Sequence, residues 1–179
     1  MKFSTRARYG LRMMVELARL LEKERLVHLG RIAKITGLSE NYLAQLAISL
    51  KNNGLLIGIS GKKGGYQLAK PANEIKVGEI VQAVAGPLSA TDCVDHPETC
   101  LNASFCESRA LWVLVTQSIS NVLNDYNLAD LISKGWLEGV RREHPDLRLL
   151  NPDIIFEDEK NETLPGCPIS SNDREEKLK

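Results

Sequence analysis

The sequence predicts a mainly α-helical fold carrying one small β-wing, and three observations predict it. Two short amphipathic helical patterns meet at a Gly37-Leu38 turn. Two strand-like runs follow, joined by a turn rich in glycine and lysine. Further on, a long helical pattern carries more apolar residues than so small a domain can cover. Helix, tight turn, helix and hairpin is the order of a winged helix-turn-helix, and the long helix adds a dimerisation element.

The first helix of the pair runs from about Leu29 to Thr36, with Ile32, Ala33 and Thr36 on one face and Gly37 as the left-handed residue that closes it. Ser39 is the N-cap of the second, in which Leu43, Leu46, Ala47 and Leu50 repeat at i, i+3, i+4, i+7. Asn41, Gln45, Ile48 and Asn52 point the opposite way, flanked by Tyr42 and Ser49. Amide side chains match adenine edges, and a tyrosine ring meets a thymine methyl or a phosphate, so this face suits a major groove of double-stranded DNA. The strand-like runs are Leu55 to Ile59 and Tyr66 to Ala69. Lys62 and Lys63 sit at the tip between them, where a wing lays cations against phosphates or in a narrow minor groove. A P-loop is the poorer reading, because no Gly-Lys-Ser/Thr follows at the required spacing and no helix pattern opens there.

Before this unit, residues 4 to 23 form an amphipathic helix with Leu11, Met14, Val15, Ala18 and Leu21 inward and Arg8, Arg12 and Arg19 outward. Ser4, Thr5, Arg6 and Tyr9 at its start are candidate phosphate contacts. His28 reads as a surface or capping residue. After the wing, Val77, Ile80, Val81 and Val84 make the core stripe of a helix that Gly86-Pro87 stops. From Leu88 to Glu107 the periodicity disappears, and Cys93, Cys100 and Cys106 arrive as C-x6-C-x5-C. Leu111, Leu114, Val115, Ile119, Val122 and Leu123 then define the long helix, whose surplus apolar surface predicts a homodimer. A short helix from Asn127 and a further amphipathic turn at Trp136, Leu137 and Val140 complete the order. The expected divisions are a DNA-binding domain at 1–86, a cysteine loop at 87–108, a dimerisation and helical part at 109–150, and a flexible tail at 151–179.

Charge divides the chain in the same sense. Residues 1–70 hold 13 Lys/Arg against 4 Asp/Glu, and residues 71–179 hold 10 against 19, although the formal net charge is zero. A basic half containing the helix-turn-helix is the electrostatic footprint of nucleic-acid binding. With no apolar signal-peptide core and no run long enough to span a bilayer, the expected location is cytoplasmic. In that reducing compartment the cysteines fit metal or redox work better than a disulfide framework. Three soft thiolates in a 14-residue loop suit an iron-sulfur cluster or zinc.

Lys2-Phe-Ser-Thr-Arg-Ala-Arg-Tyr-Gly-Leu-Arg, the two-helix unit, Gly64-Gly65-Tyr66-Gln67-Leu68-Ala69 and the three loop cysteines together resemble the IscR and NsrR family of bacterial winged-helix regulators, over roughly residues 1 to 132. The resemblance implies a dimeric DNA-binding regulator with an iron-sulfur cluster, 2Fe-2S before 4Fe-4S, on Cys93, Cys100, Cys106 and a fourth, non-cysteine ligand that differs among members. Where some members place a histidine three residues after the last cysteine, this chain has Arg109. Where others use an acidic residue of the partner's first helix, it has Arg8. The first cysteine spacing is also one residue longer than the family pattern. His96, Glu107, Asp92, Cys167 or solvent is left for the fourth position, His96 being favoured because it lies between the first two cysteines.

The leading expectation is therefore a transcriptional regulator that senses iron-sulfur status, oxygen, nitric oxide or redox state. A metal-independent repressor controlled by a partner protein or metabolite is the alternative. A thiol or iron-sulfur redox enzyme is the third, opposed by the absence of C-x-x-C, a Rossmann fingerprint or a His-Asp-Ser constellation.

Overall fold

The structure is a computed structural model and describes residues 3–61 and 63–144. Lys62, Cys167 and the expected tail lie outside the described residues. The order is α1 (Thr5–Leu21), α2 (Leu29–Thr36), α3 (Glu40–Asn52), β1 (Leu56–Ile59), β2 (Gly65–Leu68), α4 (Val77–Ala85), α5 (Asp92–Asp95), α6 (Glu107–Asp125), α7 (Leu128–Ile132) and α8 (Trp136–Glu143). Single 3-10 turns lie at Ala72–Glu74, Pro97–Thr99 and Ala103–Phe105.

Local chemistry sets the helix ends. The Ser4 hydroxyl accepts the Ala7 N–H at the start of α1, and the Ser39 hydroxyl accepts the Tyr42 N–H at the start of α3. Gly37, at φ 72°, closes α2 by donating its N–H to the Ala33 carbonyl, which makes the turn into α3 tight. His28 occupies the N-cap position of α2 but its side chain makes no capping bond. At α4 the Glu79 carboxylate accepts the Lys76 N–H and the Lys70 ammonium, both at 2.9 Å. Partial burial by itself would raise the Glu79 pKa, but these donors outweigh it and hold the carboxyl below its usual 4.5.

The core gathers around α1. Met13, Met14 and Leu17 of α1 are fully buried with Ile32 of α2, Leu43, Leu46 and Leu50 of α3, Ile80 of α4 and Leu128 of α7. Leu55 and Leu56 bring the root of the wing into the same cluster. The wing pairs Leu56 with Leu68 and Ile59 with Gly65 in an antiparallel ladder. It is not a free hairpin, because Tyr66 turns its N–H and carbonyl to Val27, at 2.8 and 3.0 Å. A Cβ on Gly65 would stand 2.9 Å from the Val27 carbonyl oxygen, so the close approach needs glycine there. The wing is thereby fixed to the segment that enters α2.

Where α1 crosses α4, Gly10 is buried and a Cβ on it would lie 2.7 Å from one methyl of Val84. Gly10→Ala tests this crossing, since helix propensity favours alanine by about 1 kcal/mol whereas overpacking costs about 1–3 kcal/mol. The expected net result is a loss of about 1 kcal/mol in chemical unfolding, reduced when Val84→Ala is added to the same chain. Gly10→Ala protein as stable as the parent would show that the helices do not meet so closely.

α6 differs from every other long helix here: none of its residues is buried. Its apolar stripe divides. Leu123 packs beside Ala7, Val77 and Val81, and Val115 and Ile119 are half-buried. Leu111, Trp112, Leu114 and Val122 remain exposed, Leu114 at 65% and Val122 at 56%. Among the described residues no helix is long and apolar enough to cross a membrane.

Candidate nucleic-acid interface and cysteine loop

The faces of α3 separate as its periodicity dictates. Leu43, Leu46, Ala47 and Leu50 are buried against the core, while Asn41, Gln45, Ile48 and Asn52 are exposed along the opposite side. Tyr42 is half-buried: its ring meets Tyr9 of α1 edge to face at 6.0 Å, and the Arg8 guanidinium lies 5.5 Å from the Tyr9 ring centroid. Burial raises the Tyr42 pKa above 10.0 against the pull of Arg6 and Arg8, so its hydroxyl is protonated at neutral pH and available as a donor.

Arg6, expected as a phosphate contact, and Ser49, expected beside the outward face of α3, are joined to each other. The Arg6 Nη2 donates to the Ser49 hydroxyl at 3.1 Å, and its Nε donates to the Val84 carbonyl at 2.8 Å. One guanidinium therefore ties α1, α3 and the end of α4. The Ser4 and Ser39 hydroxyls are occupied as caps, and Thr5 is half-buried in the first turn of α1. Lys63 is exposed at the wing tip.

The cysteine loop is strapped to α6. Arg109 Nε donates to the Cys93 carbonyl at 2.8 Å, and the Ala90 N–H donates to the Thr116 hydroxyl at 3.0 Å. Cys93 lies in α5 and is half-buried, with its Sγ 3.3 Å from the Thr91 hydroxyl. Cys100 is exposed, and Cys106 occupies the N-cap position of α6. All three are free thiols. His96 is exposed and its Nδ1 faces the Glu98 carboxylate at 3.1 Å. A hydrogen bond from the Glu98 backbone N–H, and after it the His96 imidazole, hold the Glu98 carboxyl below the usual carboxylate range.

Among the described residues no three His, Cys, Asp or Glu side chains are gathered closely enough to hold a metal ion, so the loop as folded does not assemble Cys93, Cys100, Cys106 and His96. The donor set nevertheless suits a cluster, being three soft, unbridged sulfurs. Reach does not prevent it, because an extended chain spans about 3.3–3.6 Å per residue and the intervals here are seven and six residues. Between the cysteines the loop is wound into α5 and the 3-10 turns that follow it.

Sequence reasoning missed two roles. In the sequence Arg109 is visible only as a residue in place of a ligand, and the two hydrogen bonds of Arg6, to α3 and to α4, have no periodic signature, since their partners lie 43 and 78 residues away.

A two-helix unit with an outward polar stripe, followed by a wing anchored beside it, defines a winged-helix DNA-binding transcriptional regulator. The chain belongs to the Rrf2 family: the family model described as an iron-dependent transcriptional regulator matches residues 3–134. It is 37% identical over 133 residues to the HTH-type transcriptional regulator CymR of Bacillus subtilis, covering 74% of this chain and 91% of that one. It is 35% identical over 149 residues to the HTH-type transcriptional regulator IscR of Pectobacterium carotovorum, covering 83% and 90%. Among solved structures, B. subtilis CymR, described as the global cysteine regulator, superposes with a TM-score of 0.60 at 35% identity over 74% of this chain and 96% of that one. T. potens IscR gives 0.60 at 33% identity over 80% and 90%. These relatives are named as regulators, and the chain is a regulator rather than an enzyme.

Proposed function

We propose that this regulator works as a homodimer on two half-sites of double-stranded DNA, under the control of an iron-sulfur cluster held by Cys93, Cys100 and Cys106. The observation that carries the control is the strap: the loop bearing three free thiols is hydrogen-bonded to α6, the helix whose apolar face is left uncovered. A 2Fe-2S cluster is preferred to 4Fe-4S, with His96 as the candidate fourth ligand. When bound, such a cluster supplies a centre that oxygen, nitric oxide or iron supply can add or remove.

The protein's own part follows from its contacts. Drawing the three sulfurs together requires unwinding the short turns between them, and any shift of Cys93 pulls on Arg109 and so on the first turns of α6. If α6 sets the dimer, its movement changes the separation of the two α3 helices, a two-state bias of one interface. On the DNA side, Asn41, Tyr42 and Gln45 are assigned to base edges, and Ser39, Ser49, Ser4, Thr5, Arg6, Tyr9, Lys62 and Lys63 to the backbone.

Anaerobic purification with iron and sulfide tests the cofactor: stoichiometric iron and visible absorption are expected, whereas stoichiometric zinc without iron would refute cluster sensing. For the readout, Gln45→Ala should weaken binding to a selected operator by about 1–3 kcal/mol and leave binding to random DNA nearly unchanged. Equal loss on both would show that α3 does not face the bases.

A cluster-independent repressor is the second reading. It is favoured by the separation of the thiols in the folded loop and by relatives named CymR, one solved in an oxidized form.

A further inference from the structure

We propose that Ile48 is a specificity-determining residue that recognises the C5-methyl group of a thymine in the major groove, an inference that rests on α3 being the DNA-reading helix. Ile48 is 58% exposed and stands among Asn41, Gln45 and Asn52 on the outward stripe. Its apolar side chain is not needed by the core, because Leu43, Leu46 and Leu50 are fully buried and Ala47 is 1% exposed on the opposite face. Local helix stability does not call for it either, since a β-branched residue is a poorer helix former than the alanine that precedes it. A scattered apolar side chain on a protein surface needs no explanation. This one lies in line with the amides that face DNA and beside Ser49, where Arg6 brings positive charge to the same turn.

The chemistry of the groove supplies one apolar partner, the thymine methyl, and otherwise presents hydrogen-bonding edges. Residues three apart on a helix are separated by about 4.5 Å along its axis, against about 3.4 Å per base step. The thymine should therefore lie within one or two base pairs of the position read by Gln45. A glutamine that pairs with adenine and an isoleucine that covers a neighbouring methyl together select an A·T-containing step.

The test uses an operator enriched from random duplex DNA by the purified full-length protein, with each thymine of one half-site replaced singly by deoxyuridine, which lacks only that methyl. Parent protein should lose roughly fourfold in affinity at one such position, the worth of one buried methyl. Ile48→Ala should bind the unmodified operator about as weakly and ignore that replacement, while Ile48→Val should retain part of the sensitivity. Random-sequence binding should not change for either variant. If every deoxyuridine replacement affects parent and Ile48→Ala alike, the assignment of Ile48 is wrong while the α3 readout stands. If no sequence is enriched at all, the readout assignment falls and this inference with it.

Discussion

Replacing Cys93, Cys100 and Cys106 together by alanine should give a colourless protein that binds no iron yet remains folded and dimeric. The core that α1 builds with α2, α3, α4 and α7 contains none of the three, and none of them is buried. Unfolding transitions should therefore stay close to those of the parent. The DNA response should be locked: oxygen, nitric oxide or chelation should change the affinity of anaerobic parent protein and leave the triple variant unmoved. Cys167→Ala should behave like the parent. Retention of iron by the triple variant, or a response that persists without it, would refute the cysteine assignment while leaving the winged helix intact.

Arg109→Lys disturbs the strap without touching a thiol. It keeps the charge but loses the planar N–H that reaches the Cys93 carbonyl at 2.8 Å.

The helix-turn-helix was legible because its signals are local and periodic. Ile32 and Thr36, then Leu43, Leu46, Ala47 and Leu50, repeat on one face, and Gly37 and Ser39 punctuate the pair at the positions where the structure has the turn and the cap. The bounds of α2 agree with the sequence pattern to the residue, β1 starts one residue later than expected, and β2 lies one residue earlier at both ends. The cysteine region was legible as chemistry but not as geometry. Nothing in a C-x6-C-x5-C spacing foretells α5 and two 3-10 turns, which depend on single local bonds such as Thr99 to the His96 carbonyl. Long-range polar links were invisible for a related reason. Arg6 reads in the sequence as a candidate phosphate contact at a helix start, and only the packing of α1 on α4 brings the Val84 carbonyl to it.

Charging the free face of α6 should separate the dimer and sharply lower its DNA affinity. Leu114 and Val122 are the positions of choice, being 65% and 56% exposed in the single chain, so Leu114→Glu with Val122→Glu removes nothing from the protomer's own core. In a dimer formed through this helix each aliphatic side chain contributes about 1.5–3 kcal/mol on burial, and each carboxylate put in its place opposes its equivalent across the two-fold axis. Sedimentation should show a monomer, with helical content preserved in circular dichroism. An operator with two half-sites should then bind about 10²-fold or more weakly, because the second recognition helix no longer arrives at the effective concentration set by the first. A single half-site should bind nearly as before, since α3, the wing and Arg6 are unchanged. A variant that still sediments as a dimer would move the interface away from α6, and would remove the route by which the cysteine loop is proposed to reach the DNA.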